Sequence, residues 1–140
     1  MDEKTNLKEC MLKEIDITQD IIKRMAQNSF MIKGWTITLV VATFLLKGTK
    51  LHVLIAFVPL VVFWFLDAYF LQQEKMYRKL YEWVINNRLK TDEYLFNMNT
   101  DRFKDQVDSI KKVMFSITLK WFYGSLLILT IIYTFILFLF

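Results

Sequence analysis

The chain has 140 residues, of which 55% are hydrophobic and 16% aromatic, with three glycines, one proline and a net charge of +4. That length holds one domain, and the apolar excess, gathered into blocks, excludes a soluble domain of this size. One cysteine, Cys10, excludes an intramolecular disulfide framework, and one histidine, His52, leaves the polar segments without a candidate for histidine acid–base chemistry.

Residues 1–29 read as an amphipathic helical arm. Leu7, Met11, Ile15, Ile22 and Met25 recur at helical steps, while Lys8, Glu9, Lys13, Glu14 and Asp20 occupy the opposite face. Asp16 or Thr18 can divide this arm into two short helices by acting as an N-cap. The charged opening Met1-Asp2-Glu3-Lys4-Thr5 is followed by no signal-peptide hydrophobic run, so the first apolar block is expected to be a retained membrane helix.

A hydrocarbon core about 30 Å thick needs about 20 helical residues. Phe30 to Leu46 gives a short first span interrupted only by Lys33, and Leu51 to Leu71 gives the second. Lys47-Gly48-Thr49-Lys50 joins them in a turn so tight that the two must be antiparallel neighbours, which defines a hairpin over 30–71. Pro59, near the centre of the second span, predicts a kink. Asp67 places an acid at depth, and counting down from the turn brings Lys33 to within about 4–5 Å of its level. A Lys33–Asp67 ion pair is therefore expected, its plainest role being to fix helix register, with a part in ion selectivity or gating as the functional alternative and simple exposure to interfacial water as a third.

Residues 72–120 read as a helical hairpin outside the membrane. Met76, Leu80 and Val84 continue the second helix to about Arg88. Leu89 to Thr100 form a linker, and Thr100 or Asp101 caps a second helix striped by Val107, Ile110, Val113 or Met114, and Ile117. Arg78, Lys79, Arg102, Lys104, Lys111 and Lys112 are candidates for binding an anionic ligand or lipid phosphates. Interleaved Glu82, Asp105 and Asp108 make ordinary solvated faces the plainer reading. Ten bases against seven acids give this region +3, and residues 1–33 are neutral with six of each.

Trp121 to Phe140 forms an uncharged third span. Tyr123, Leu127, Thr130 and Thr134 lie near one face, and Thr36 and Thr43 make a shorter version in the first span. Such hydroxyls usually bond back to their own helix; around the axis of an oligomer they would line a narrow, weakly polar pore. The bases concentrate before Lys33 and between Lys75 and Lys120, so those regions belong on the cytoplasmic side and the C-terminus outside. The expected fold is an all-α integral membrane protein with three transmembrane helices. No metal spacing, phosphate loop or nucleophile motif appears, so neither enzyme activity nor a cofactor is expected.

Two stretches also carry a resemblance. Asn28-Ser29-Phe30-Met31-Ile32-Lys33-Gly34-Trp35-Thr36 and the run from Phe63-Trp64-Phe65-Leu66-Asp67-Ala68-Tyr69-Phe70-Leu71 through Gln72-Gln73-Glu74-Lys75-Met76-Tyr77-Arg78-Lys79-Leu80-Tyr81 resemble small multi-span proteins of bacterial anti-phage defence. Among these are the membrane effector of the Hailong system and the SLATT-like and CRISPR-associated membrane effectors. The resemblance implies a homo-oligomeric channel that depolarises the bacterial inner membrane on infection. It also implies control through the cytoplasmic helices by the nucleotide or oligonucleotide product of a partner nucleotidyltransferase. The competing expectation is a non-conducting membrane scaffold or regulatory subunit that anchors a cytoplasmic partner.

Overall fold

The computed structural model describes residues 3–45 and 54–139. The expected turn at 47–50, His52 and the span ends at Leu46, Leu51 and Phe140 lie outside the described residues. No strand occurs among those described. The order is α1 (Glu3–Leu45), α2 (Phe57–Asn87), a 3-10 helix (Asp101–Gln106), α3 (Ile110–Met114) and α4 (Ile117–Leu139). Three helical stretches, Thr5–Leu45, Leu54–Asn87 and Ile117–Leu139, are long and apolar enough to cross a membrane.

Residues 3–45 form one helix, without the division of the arm into two short helices that Asp16 or Thr18 could have capped. No proline interrupts them, and Thr18 does not cap: its hydroxyl donates to the Glu14 carbonyl at 2.6 Å, as a mid-helix threonine can. Pro59 does not kink a span centre either. It falls in the first turn of α2, just after a 3-10 turn over residues 54–56, where proline fits because helix-starting N–H groups lack intrahelical acceptors.

The chain divides into two compact units. The polar unit comprises Met1–Gln27 with Leu71–Asp108, and the apolar unit Asn28–Phe70 with Ser109–Phe140. In the polar unit Leu80, Val84 and Phe103 form a buried cluster against Met11, Ile15, Tyr77, Trp83 and Met98. Each such side chain fully removed from water contributes about 1.5–3 kcal/mol. The buried ridge of α1 here is Glu14, Thr18 and Ile21, one position round from the apolar series read from the sequence.

The second long helix expected from Thr100 to Lys120 is absent. Thr100 makes no side-chain cap, and the 3-10 helix ends at Val107 in extended conformation (φ −124°, ψ 158°). The α2 side chains explain the break: Gln72 donates to the Asp108 carbonyl at 2.9 Å, and Lys75 pairs with its carboxylate at 3.1 Å. Those bonds hold Asp108 to α2 instead of to a helix of its own. Ser109 then caps the short α3, accepting from the Lys112 N–H.

In the apolar unit, the outward faces of the candidate spans carry Phe30, Trp35, Ile128, Leu129 and Phe135, all exposed. Lipid accommodates such faces; water does not. Inside, Trp64 donates its indole N–H to the Met114 carbonyl at 2.9 Å and stacks on Tyr123. Tyr133 donates to the Phe44 carbonyl at 3.1 Å, its ring 4.3 Å from that of Phe44.

Candidate functional site

The apolar unit holds one fully buried acid. Asp67 lies on α2, and groups from two other helices converge on it. Lys33 Nζ is 2.6 Å from Oδ2, and the Tyr123 hydroxyl donates to the same oxygen at 3.0 Å. The Ser29 hydroxyl donates to Oδ1 and itself accepts from Lys33 at 2.8 Å. Ser29 and Lys33 share a face of α1 through their four-residue spacing. A carboxylate in low dielectric needs both a counter-charge and filled acceptor sites, and this arrangement supplies both. Thus the structure brings Lys33 and Asp67 together and adds Ser29 and Tyr123, which sequence reasoning did not attach to the pair.

The remaining hydroxyls divide by burial. Tyr123, Thr36 and Thr130 are fully buried within the single chain, whereas Thr43, Leu127 and Thr134 are partly exposed. Thr36 donates to Ile32, Thr43 to Leu39, Thr130 to Leu126 and Thr134 to Thr130, each to its own helix carbonyl. The Phe44–Tyr133 contact puts the neighbouring residues Thr43 and Thr134 at one level of the unit.

The polar unit has its own buried pair, although the sequence reading put Glu14 on the charged face of its helix and Arg88 only at the end of the second helix. Glu14 and Arg88 are both inaccessible, with Arg88 Nε 2.5 Å from Glu14 Oε2 and Nη2 3.0 Å from Oε1. The other guanidinium hydrogens go to the carbonyls of Thr91, Glu93 and Tyr94, and Glu14 Oε1 also accepts the Phe96 N–H. All five Arg88 donors are satisfied. The pair thereby fixes the segment after α2, in which Tyr94 and Phe96 adopt positive φ of 58° and 55°. The i, i+4 series Met76, Leu80, Val84 continuing to Arg88 is the signal that could have revealed this arginine as buried.

The six basic ligand candidates are divided between the two units, Arg78, Lys79, Arg102 and Lys104 in the polar one and Lys111 and Lys112 in the apolar one. Arg78 is gripped side-on by Glu74 at 2.7 and 2.9 Å, and Lys79 pairs with Glu82 at 2.7 Å. Arg78 and Glu82 line a groove of about 420 Å³ with Gln19, Ile22, Lys23 and Tyr81, a wall of mixed charge. Lys104 is exposed in the polar unit, and Lys111 and Lys112 are exposed on α3 of the apolar unit. Arg102 differs from all of them. Its guanidinium carbon lies 4.4 Å from the ring centres of both Trp83 and Tyr94 and 4.8 Å from that of Phe103. Burial pushes its pKa below the ordinary arginine value; neighbouring Arg88 adds to this, while Tyr94, Glu93 and Glu14 oppose it.

Among the described residues no group of three or more His, Cys, Asp or Glu is placed to hold a metal ion. No family model, curated protein or solved structure matches the chain.

Proposed function

We propose that this chain is a subunit of a homo-oligomeric ion channel in the bacterial inner membrane, an effector of anti-phage defence that depolarises the cell. The N-terminus and the polar unit lie in the cytoplasm and the C-terminus outside, as the distribution of bases favours. Three helices cannot enclose a pore alone, so conduction requires several copies around an axis. The signal is a soluble anionic ligand received by the polar unit. In the setting that the resemblance implies, that ligand is the nucleotide or oligonucleotide product of a partner nucleotidyltransferase.

The observation that carries the channel reading is the pair of partly exposed hydroxyls, Thr43 and Thr134, at one level on two different helices. Each spends its hydrogen on its own helix, which leaves oxygen lone pairs to face outward. Repeated around an axis, such oxygens make a ring of weak acceptors suited to a cation. Asp67, by contrast, is saturated within one chain and sets helix register.

A second reading is favoured by that same saturation and by the burial of Thr36, Tyr123 and Thr130: a non-conducting scaffold whose spans only anchor the polar unit. Cation flux from liposomes carrying the purified protein separates the two. The channel reading expects flux that Thr134→Leu abolishes with the oligomer intact. Absence of flux in the presence of the candidate nucleotides, or flux indifferent to Thr134, overturns it.

A further inference from the structure

Arg102 presents an arginine edge with nothing to hold. Its Nε and Nη2 atoms are out of solvent and have no hydrogen-bond partner among the described residues. They are the two nitrogens whose N–H bonds run parallel along one side of the guanidinium, the edge that grips two oxygens of one anion. The rings of Trp83 and Tyr94 attract the cation without accepting those in-plane hydrogens. Buried polar groups in folded proteins are almost always paired, and an orphan points to a partner outside the chain.

No carboxylate nearby fills the role. Glu14 is committed to Arg88 and the Phe96 N–H. Glu93 is exposed and acts on Arg102 only through its field, with no hydrogen bond between them. Arg88 is neutralised by Glu14, whereas Arg102, half-buried, forms no salt bridge among the described residues.

We infer that Arg102 anchors an oxyanion-binding site in the polar unit, taking two oxygens of a phosphate or carboxylate group on its Nε and Nη2 hydrogens, with Trp83 and Tyr94 as walls. The ligand enters past Tyr94. That side chain is 47% exposed, and its hydroxyl makes no hydrogen bond among the described residues. Glu93, facing the same cation, competes with the ligand and sets its affinity. The inference rests on the proposed function only in taking the polar unit as the ligand-receiving part, and its test reads binding, not conduction.

The purified full chain in a neutral detergent is titrated with potassium phosphate, potassium acetate and potassium chloride at matched ionic strength, following the thermal midpoint and tryptophan emission. Saturable stabilisation by phosphate or acetate beyond chloride is expected, and the tighter of the two identifies the class of oxyanion. Arg102→Lys keeps the charge between the rings but loses the fork, and should weaken binding at least about tenfold, the scale of one lost charge-assisted contact. Glu93→Gln should tighten it. As a control on folding, both variants should keep the wild-type midpoint in chloride to within a few degrees. Should Arg102→Lys fail that control, the Glu93→Gln titration decides: tighter oxyanion binding supports the site, and unchanged binding overturns it. Equal response to all three salts, or wild-type affinity in a folded Arg102→Lys, also overturns the inference.

Discussion

Lys33 and Tyr123, from two different helices, meet on a single oxygen of Asp67, at 2.6 and 3.0 Å. The buried carboxylate is thus the point at which the three apolar helices are tied to one another. Asp67→Asn preserves its volume but removes the charge, leaving Lys33 without a counter-ion. Breaking a buried pair from one side costs about 3–5 kcal/mol. A marked drop in the thermal midpoint of the detergent-solubilised protein is expected, together with poorer recovery of the oligomer. The double variant Lys33→Met with Asp67→Leu removes both charges and should regain most of the loss. A double variant as unstable as Asp67→Asn would contradict the pairing.

Tyr123→Phe tests the next layer. The ring keeps its stack on Trp64, and what is lost is the hydroxyl, which donates to Asp67 at 3.0 Å and lies 3.3 Å from the Phe63 carbonyl. Hydrogen bonds to charged groups contribute about 1.5–3 kcal/mol, so this variant should fall between wild type and Asp67→Asn in denaturant stability. Lys33 and Ser29 still serve the carboxylate. Equal damage from the two substitutions would mean that Tyr123, not Lys33, is the main partner.

The two halves of this cluster differ in how legible they are from sequence. A lysine and an acid inside apolar runs are conspicuous, and depth counting from the short turn pairs them. Ser29 and Tyr123 are not conspicuous, because a hydroxyl near a span boundary looks the same whether it faces a carboxylate or its own backbone. Glu14 shows the failure more sharply. Hydropathy periodicity looks for an apolar ridge and chose Ile15 and Ile22, whereas the buried ridge of α1 runs one residue earlier through Glu14, Thr18 and Ile21. Only knowledge that Arg88 lies opposite could have placed an acid there. The break after Gln106 was hidden for a related reason. The stripe of Val107, Ile110, Val113 and Ile117 is genuinely helical in spacing, but Gln72 and Lys75, more than thirty positions away, bind Asp108 first.

Glu14→Gln should release the segment that follows α2. Arg88 would retain its carbonyl acceptors but lose its counter-charge at a site from which water is excluded. A loss of about 3–5 kcal/mol is expected. Limited proteolysis should then cut first between residues 89 and 97. Cleavage there at the wild-type rate would show that the carbonyl contacts alone hold the segment.

Phe96 offers the finest test, because there backbone strain and a side-chain contact can be separated. Its φ of 55° places a bulky residue in the left-handed region, while its N–H donates to Glu14 at 2.8 Å. Phe96→Gly keeps that N–H and removes the Cβ that resists the conformation, so stability should be unchanged or higher by up to about 1 kcal/mol. Phe96→Val keeps the N–H too, but a β-branched residue is poorly tolerated at positive φ and should cost about 1–3 kcal/mol. The ring, 45% exposed, contributes little burial to offset either change. The order Gly at or above wild type, then Val well below, in chemical denaturation marks the backbone as the controlling factor. If glycine instead falls as far as valine, the aromatic ring has a packing role, and the conformation is held by the side chain rather than by Glu14 and Arg88.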